Sequence, residues 1–424
     1  MTEASGPEGF LRTFHRISGL GAEPDGRGFS RLAASAQDAQ ARAAFGDWMV
    51  QQGARIAADA VGNQFACFDW AGPEAEWVFS GSHLDTQPQG GRFDGALGVV
   101  AAGAAAIRLA AEAATGGLHP RRNLAVVNWT NEEGARFQPS LTGSSVFAGA
   151  VPAAEALALR DPDGTTLAEA LAASGIVVGR GQVPSRPVAC VELHVEQGIR
   201  LEEASRGIGL VQATWAARKF TAEWTGRSSH TGPTPMPLRR DALLAAARGI
   251  AAFEDALAAR WPDLHRSSAR IAVSPNSPNM VPDSVKVWFE LRGPDPAVLQ
   301  AAGDAVIGQI ADLARQADIG FRLGADVTRP PSHMDAGLFA LAAEVAGGLG
   351  HDPLLMASVA GHDVVALQNG GIPSALIFVP SRGGIGHHPD EHTDDAQIVA
   401  GLEVLTATLR RLVAPDTPDV ERKA

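Results

Sequence analysis

Four stretches of this sequence set metal-ligating side chains beside apolar runs. In "GSHLDTQPQGGRFDG", beginning at Gly81, His83 and Asp85 follow an apolar run and Asp94 lies in a glycine-rich turn. Gly90, Gly91 and Gly95 let the backbone turn tightly around that aspartate. Asp85, two residues beyond His83, is placed to orient the imidazole through its second nitrogen, as metal-bound histidines usually require. In "VVNWTNEEG", Glu132 and Glu133 end a run suited to a buried strand. Neighbouring side chains there point in different directions, so one can bind a metal while the other faces a water. Two carboxylates crowded beside a cation divide in this way into ligand and base. "CVELHVEQG" adds His194, and "GIGHHPDEH" adds His387, His388 and His392. His83, Asp94, Glu133, His194 and one late histidine make five N/O donors without a cysteine. Such a set suits zinc, manganese, cobalt or nickel better than magnesium or calcium. A shared carboxylate could bridge two ions.

A second group is polar in a different way. "RSSHTGPTPMPLRRDA" places His230 in a loop before a helix, "NSPNMVP" places Asn279 in a tight turn, and "VWFELRG" ends a strand with Arg292. A planar guanidinium suits bidentate recognition of a carboxylate. Cap, turn and surface ion-pair roles fit these residues equally.

The elements that must carry these side chains alternate. "EWVFSGSHLD", "NLAVVNWTNEEG" and "CVELHVEQG" read as strands, and "GALGVVAAGAAAIRLAAEAA" as a long buried helix punctuated by Arg108 and Glu112. Strands separated by long helices predict an α/β catalytic domain, a mixed sheet flanked by helices, over 1–213 and 328–424. Between them, 214–327 reads strand, helix, strand, strand, helix, strand. That order predicts an inserted α+β, ferredoxin-like (βαββαβ) layer. The tail "APDTPDVERKA" is expected to fray.

Composition narrows the class. Hydrophobic residues make up 45% and charged residues 19%, which suits a soluble enzyme with a large core. The net charge of −12 and the lack of a Lys/Arg run argue against a nucleic-acid partner. The two cysteines, Cys67 and Cys190, cannot build a disulfide framework or a thiolate zinc site, which is consistent with a reducing cytoplasm. "MTEASGPEGF" has neither the basic nor the apolar region of a signal peptide. No membrane span is expected, since no uninterrupted apolar run reaches about 18 residues.

The strings "GSHLDT", "GRFDGALGV", "NEEGARF", "LTGSSVFAG", "ELHVEQG", "SSHTGPTPM", "NSPNMVP", "ELRG", "AGHD" and "GIGHHPDE" run along nearly the whole chain. Together they resemble the hydantoinase/carbamoylase-type amidases among the aminoacylase- and carboxypeptidase-like zinc hydrolases. That branch includes N-carbamoyl-L-amino acid hydrolases, β-ureidopropionases, allantoate amidohydrolases and ureidoglycolate amidohydrolases. The resemblance implies two divalent transition-metal ions per subunit (zinc, or manganese, cobalt or nickel) and a homodimer in which the inserted layer serves as lid. It implies that His83 and His194 hold one ion, Glu133 and His387 the other, with Asp94 between them and Glu132 as general base. His388 competes with His387 for that place. Gln197, His230, Asn279 and Arg292 would contact a small carboxylate substrate, and His230 would steady the oxyanion.

Peptidase relatives carry an acid at the position of His194, so the histidine favours an amidase. The chain departs from the family at "GIGHHP", where Gly386 replaces a serine and His388 a smaller polar residue. It departs again at Ala217, where relatives often carry glutamine, followed by Arg218 and Lys219. Arg218 joins the candidate substrate contacts. The reading is a hydrolase of linear C–N bonds, acting on an N-carbamoyl-amino-acid-like substrate. An N-acyl amino acid hydrolase or dipeptidase on the same scaffold is the first alternative, and a non-catalytic metal-stabilised binding protein the second.

Overall fold

The computed structural model describes residues 6–415. The expectations of no leader and of a frayed tail fall wholly or partly on residues 1–5 and 416–424, outside that range. The strands in chain order are β1 Arg55–Ala58, β2 Gln64–Phe68, β3 Trp77–His83, β4 Asn123–Trp129, β5 Ala189–Val195, β6 Gly209–Thr214, β7 Ala216–Thr225, β8 Ser229–His230, β9 His265–Ser274, β10 Met280–Val281, β11 Ser284–Gly293, β12 Gly320–Arg329, β13 Leu354–Ser358 and β14 Ser374–Val379. The chain divides into two compact units, Met1–Ala213 with His333–Ala424, and Thr214–Ser332.

The first unit is built on an eight-stranded sheet of order β1-β2-β4-β3-β5-β14-β6-β13. β4, β3, β5 and β14 run parallel, while β1, β2 and β6 pair antiparallel with their neighbours β2, β4 and β14. Every residue of β3, β4 and β5 is buried. Parallel strands covered on both faces read as continuous apolar runs rather than alternating ones. One face is covered by Pro7–Ser18, Ala36–Gln51, Ala96–Ala114 and Asp395–Val413, and the other by a cluster that includes Phe65, Phe79, Trp129 and Phe378. Ala96–Ala114 is long and apolar enough to cross a membrane, with a mean hydropathy of 1.5, but 72% of that stretch is buried inside the protein. It packs on β3 and against Asp395–Val413, as a core helix does.

The second unit has a four-stranded antiparallel sheet of order β12-β7-β11-β9, with Ala242–Arg260 and Pro296–Gln316 packed on it. Its strands alternate, as a sheet with one covered face must. Phe220, Ala222 and Trp224 of β7 and Val285, Val287, Phe289 and Leu291 of β11 are buried in the helix-facing core. β8 and β10 form a separate two-stranded ribbon.

Candidate metal centre

Because β3, β4, β5 and β14 are parallel, their C-terminal ends share one sheet edge, the edge where open α/β sheets collect ligands. His83 is the last residue of β3, and His194 is the last but one of β5. Glu132 and Glu133 lie just beyond β4, and His387 lies on the loop that follows β14. The turn after β3 returns Asp94 to the same edge. Asp94 Oδ1 is 3.4 Å from His83 Nε2 and 3.1 Å from His194 Nε2. Its Oδ2 is 3.3 Å from His387 Nε2, which is in turn 3.3 Å from Glu133 Oε2. Two donor triplets result, His83/Asp94/His194 and Asp94/Glu133/His387, and within each the donor atoms lie inside 4.8 Å of one another. The two oxygens of one carboxylate face the two triplets. Imidazole nitrogens and carboxylate oxygens gathered at this spacing fit divalent transition-metal ions.

The backbone sets the histidines. His83 Nδ1 lies 2.9 Å from the Asp85 carbonyl and His194 Nδ1 2.8 Å from the Val195 carbonyl. A carbonyl only accepts, so Nδ1 carries the proton in each ring and Nε2 is turned to Asp94 as the ligand atom. The Gly95 N–H, 3.2 Å from His194 Nε2, agrees with that tautomer. Gly95 has φ +64, and a Cβ there would fall 2.4 Å from the His83 ring, so only glycine fits.

The expected role of Asp85 changes accordingly. Its carbonyl, not its carboxylate, holds His83; Oδ1 is 3.7 Å from Nδ1, beyond a hydrogen bond. The carboxylate instead accepts the N–H groups of Glu132 (3.3 Å) and Glu133 (3.2 Å), which fixes the acid pair. Glu133 is further held by Gln87, whose side chain donates to Oε2 at 2.9 Å and whose backbone donates to Oε1 at 3.2 Å. Glu132 belongs to neither triplet, and its Oε2 is 3.5 Å from His83 Nε2.

Burial and charge oppose each other here. Burial disfavours the charge on Asp94, yet the neighbouring His194, His387 and His83 rings hold it well below the ordinary carboxylate range. Burial pushes Glu132 well upward despite His83, and the charges of Asp363, Glu133 and Asp94 add to that. Burial lowers His387, but Asp94 and Glu133 outweigh it and push it up to about 11. Burial pushes Asp85 up to about 7.

His387 adopts a left-handed backbone, φ +53, and its Nε2 meets Asp94 and Glu133. His388 instead faces Asp390, at 3.1 Å from its N–H. Gln197 donates to Asp94 Oδ2 at 2.5 Å and takes up a left-handed φ of +57. A Cβ on Gly386 would lie 3.2 Å from the Gln197 side chain, so the glycine in "GIGHHP" gives Gln197 room.

Sequence reasoning passed over three supports. Glu391, in the quoted "HHPDEH", accepts the N–H groups of Phe93 (2.8 Å) and Asp94 (2.9 Å) and thereby ties the His387 loop to the Asp94 turn. Burial, with Asp94 adding to it, pushes Glu391 up to about 7. Behind His194 lie Glu192 and His362, also within metal-ligand spacing of it. Glu192 accepts Ser82 Oγ at 2.6 Å and the Val364 N–H at 3.1 Å, and the His362 ring meets the His194 ring edge-on at 4.5 Å. The available signals were an acid shortly after a histidine pair, and a Glu and a His inside otherwise apolar runs.

The remaining expected residues lie in the second unit. His230 and Asn279 meet on the ribbon of β8 and β10, where the Thr231 N–H donates to the Asn279 carbonyl at 3.3 Å. His230 is exposed, and its Nδ1 accepts the Gly232 N–H at 3.1 Å, which leaves the proton on Nε2. Arg292 donates through Nε to Glu290 at 2.7 Å. Arg218 does not sit with them. It is 3% exposed and turned under Pro296–Gln316, with Asp326 at 2.7 Å and 2.9 Å, Asp304 at 2.8 Å and the Gln300 carbonyl at 3.0 Å. It follows the helix-facing parity of Phe220, so its guanidinium braces the unit instead of meeting a substrate.

Residues 79–411 match the profile of peptidase family M20/M25/M40. The chain is 34% identical over 382 residues to an N-carbamoyl-L-amino-acid amidohydrolase of Rhizobium meliloti, covering 89% of this chain and 90% of the relative. It is 32% identical to an allantoate amidohydrolase of Bacillus subtilis (strain 168), over 93% of this chain and 95% of the relative. Among solved structures, an amidase of the hydantoinase/carbamoylase family from Burkholderia vietnamiensis superposes with a TM-score of 0.89 at 32% identity, covering 97% of this chain and 98% of that one.

Proposed function

The chain belongs to peptidase family M20/M25/M40, and within it we propose an amidohydrolase that cleaves the ureido C–N bond of an N-carbamoyl-amino-acid-like substrate, releasing ammonia and carbon dioxide. Its relatives named N-carbamoyl-L-amino-acid amidohydrolase and allantoate amidohydrolase support a hydrolase of linear C–N bonds. The observation that carries the reading is the placement of Glu132 beside two donor triplets that share Asp94 and to neither of which it belongs. Binding alone would need the triplets but not an extra carboxylate.

In this reading His83, His194 and Asp94 would hold one divalent ion, and Asp94, Glu133 and His387 would hold a second, as zinc, manganese, cobalt or nickel. Such ions polarise a carbonyl and make a nearby water more acidic. Glu132 takes the proton from the attacking water and passes it to the leaving nitrogen. His230, with its proton on Nε2, steadies the developing oxyanion. Arg292 grips the carboxylate beside Asn279, and Gln197 is a further substrate contact. The second unit serves as lid and as the contact of a homodimer in the cytoplasm. Cys67 and Cys190, free and buried, are consistent with that compartment.

The test is a panel of N-carbamoyl, N-acyl and dipeptide substrates with Mn, Co, Ni and Zn. Ammonia release from carbamoyl acids supports the reading; release of an acyl acid or amino acid without ammonia replaces it with an acylase or dipeptidase.

A further inference from the structure

The face of the second unit's sheet that points away from its helices gathers cations at one corner. Cross-strand register aligns Arg329 of β12, Ala217 of β7 and Arg292 of β11 in one row. The row beside it holds Val327, Lys219 and Glu290. The parity is fixed by Phe220 and Leu291, which are buried among the helices, so these rows lie on the opposite face. Glu290 is the only carboxylate of the two rows. It already takes Arg292 Nε at 2.7 Å and lies 3.4 Å from Lys219 Nζ. Arg329 is exposed, and its side chain has no partner among the described residues.

These charges act on one another. Burial makes Lys219 give up its proton more readily, Arg292 and Arg329 push the same way, and Glu290 opposes them. Within the two rows Arg329, Arg292 and Lys219 outnumber Glu290, on a chain whose net charge is −12, and the cations repel one another. An anion beyond a single carboxylate would relieve that repulsion. Between the two arginines stands Ala217, with nothing past Cβ. Strands are spaced about 4.8 Å apart, so Arg292 and Arg329 flank an open floor about 10 Å wide. Each guanidinium can take a carboxylate as a fork.

We propose that this corner selects ureido acids carrying a second carboxylate, the N-carbamoyl derivatives of acidic amino acids: Arg292 takes the α-carboxylate, and Arg329 with Lys219 takes the side-chain carboxylate across the floor over Ala217. The inference rests on the carbamoyl-acid reading above.

The experiment compares kcat/KM for ammonia release from N-carbamoyl-aspartate and N-carbamoyl-glutamate with that from their uncharged isosteres, N-carbamoyl-asparagine and N-carbamoyl-glutamine. The acids are expected to lead by about 10-fold or more, the range of one charge-assisted hydrogen bond. Arg329→Gln should collapse that ratio toward one, and Ala217→Gln, which fills the floor, should shrink it. Equal rates for acid and amide, or a ratio preserved in Arg329→Gln, overturn the proposal. If no carbamoyl substrate releases ammonia, the parent reading fails. The acid/amide pairs are then compared by equilibrium binding to the metal-loaded Glu132→Gln variant, where equal affinity overturns the dicarboxylate inference as well.

Discussion

The metal edge of the first unit and the open sheet face of the second hold their polar groups by opposite means. His83, His194 and Asp94 are 1%, 2% and 4% exposed, and each is pinned by backbone: the Asp85 and Val195 carbonyls, and N–H groups given to Glu391. Arg292, Lys219 and Glu290 stand on alternating strand positions and hold one another by side-chain charge. The first arrangement fixes the position and direction of each donor, which chemistry requires. The second fixes a charge pattern and leaves the arms able to adjust, which suits recognition. Breaking the first should cost rate and metal; breaking the second should cost discrimination.

The largest effect is metal removal. Exhaustive chelation should abolish turnover, and adding back Mn, Co, Ni or Zn should restore it, with metal content followed by elemental analysis; full activity in metal-free protein would refute the use of the two triplets. Next comes Glu132→Gln, which should keep the fold and metal but lower kcat roughly 10²–10⁴-fold, the usual loss with a general base. A near wild-type rate at full metal content would remove Glu132 from the chemistry. His387→Ala should then lose one ion of two and most activity, while His388→Ala should keep both; the reverse order would reassign the ligand to His388. Smaller again is Glu391→Gln. It weakens the carboxylate that holds the Asp94 N–H and should lower metal affinity about 10–100-fold. Unchanged metal affinity would confine Glu391 to packing.

The same contrast explains what the sequence reveals. His83, Glu132, Glu133 and His194 announce themselves because a charged or ligating residue at the end of a fully apolar run has few reasons to be there, and parallel strands bring such ends together. The helix Ala96–Ala114 and the strands β3, β4 and β5 are legible for the same reason. Asp85 is legible as the partner of the His83 ring, but spacing cannot separate a side chain from its own carbonyl, and it is the carbonyl that meets Nδ1. Glu391 stays hidden because its work is done through backbone N–H groups 297 and 298 residues away. The place of Arg218 is not legible because one residue of strand parity decides between the helices and the open face, and that parity emerges only with Phe220 and Asp326 in place. The row Arg329–Ala217–Arg292 cannot be read before the register of three strands is known.

The finest test falls on Arg292, where the two means of holding polar groups lead to different outcomes. A ureido acid has a permanent charge in its α-carboxylate. A guanidinium can grip the carboxylate with two parallel hydrogen bonds and so set direction as well as position. Glu290 already fixes the plane of that guanidinium through Nε at 2.7 Å, which reduces the ordering left to occur on binding. Arg292→Lys keeps the charge and loses the fork. Metal content should not change, because the residue lies outside both donor triplets. For an acid substrate kcat/KM should fall about tenfold, the worth of one charge-assisted hydrogen bond. A substrate whose α-carboxylate is capped as an amide should be poor with the wild type and lose much less on substitution. Equal losses for acid and amide in Arg292→Lys would make the side chain a structural residue, and recognition of the carboxylate would have to be sought elsewhere.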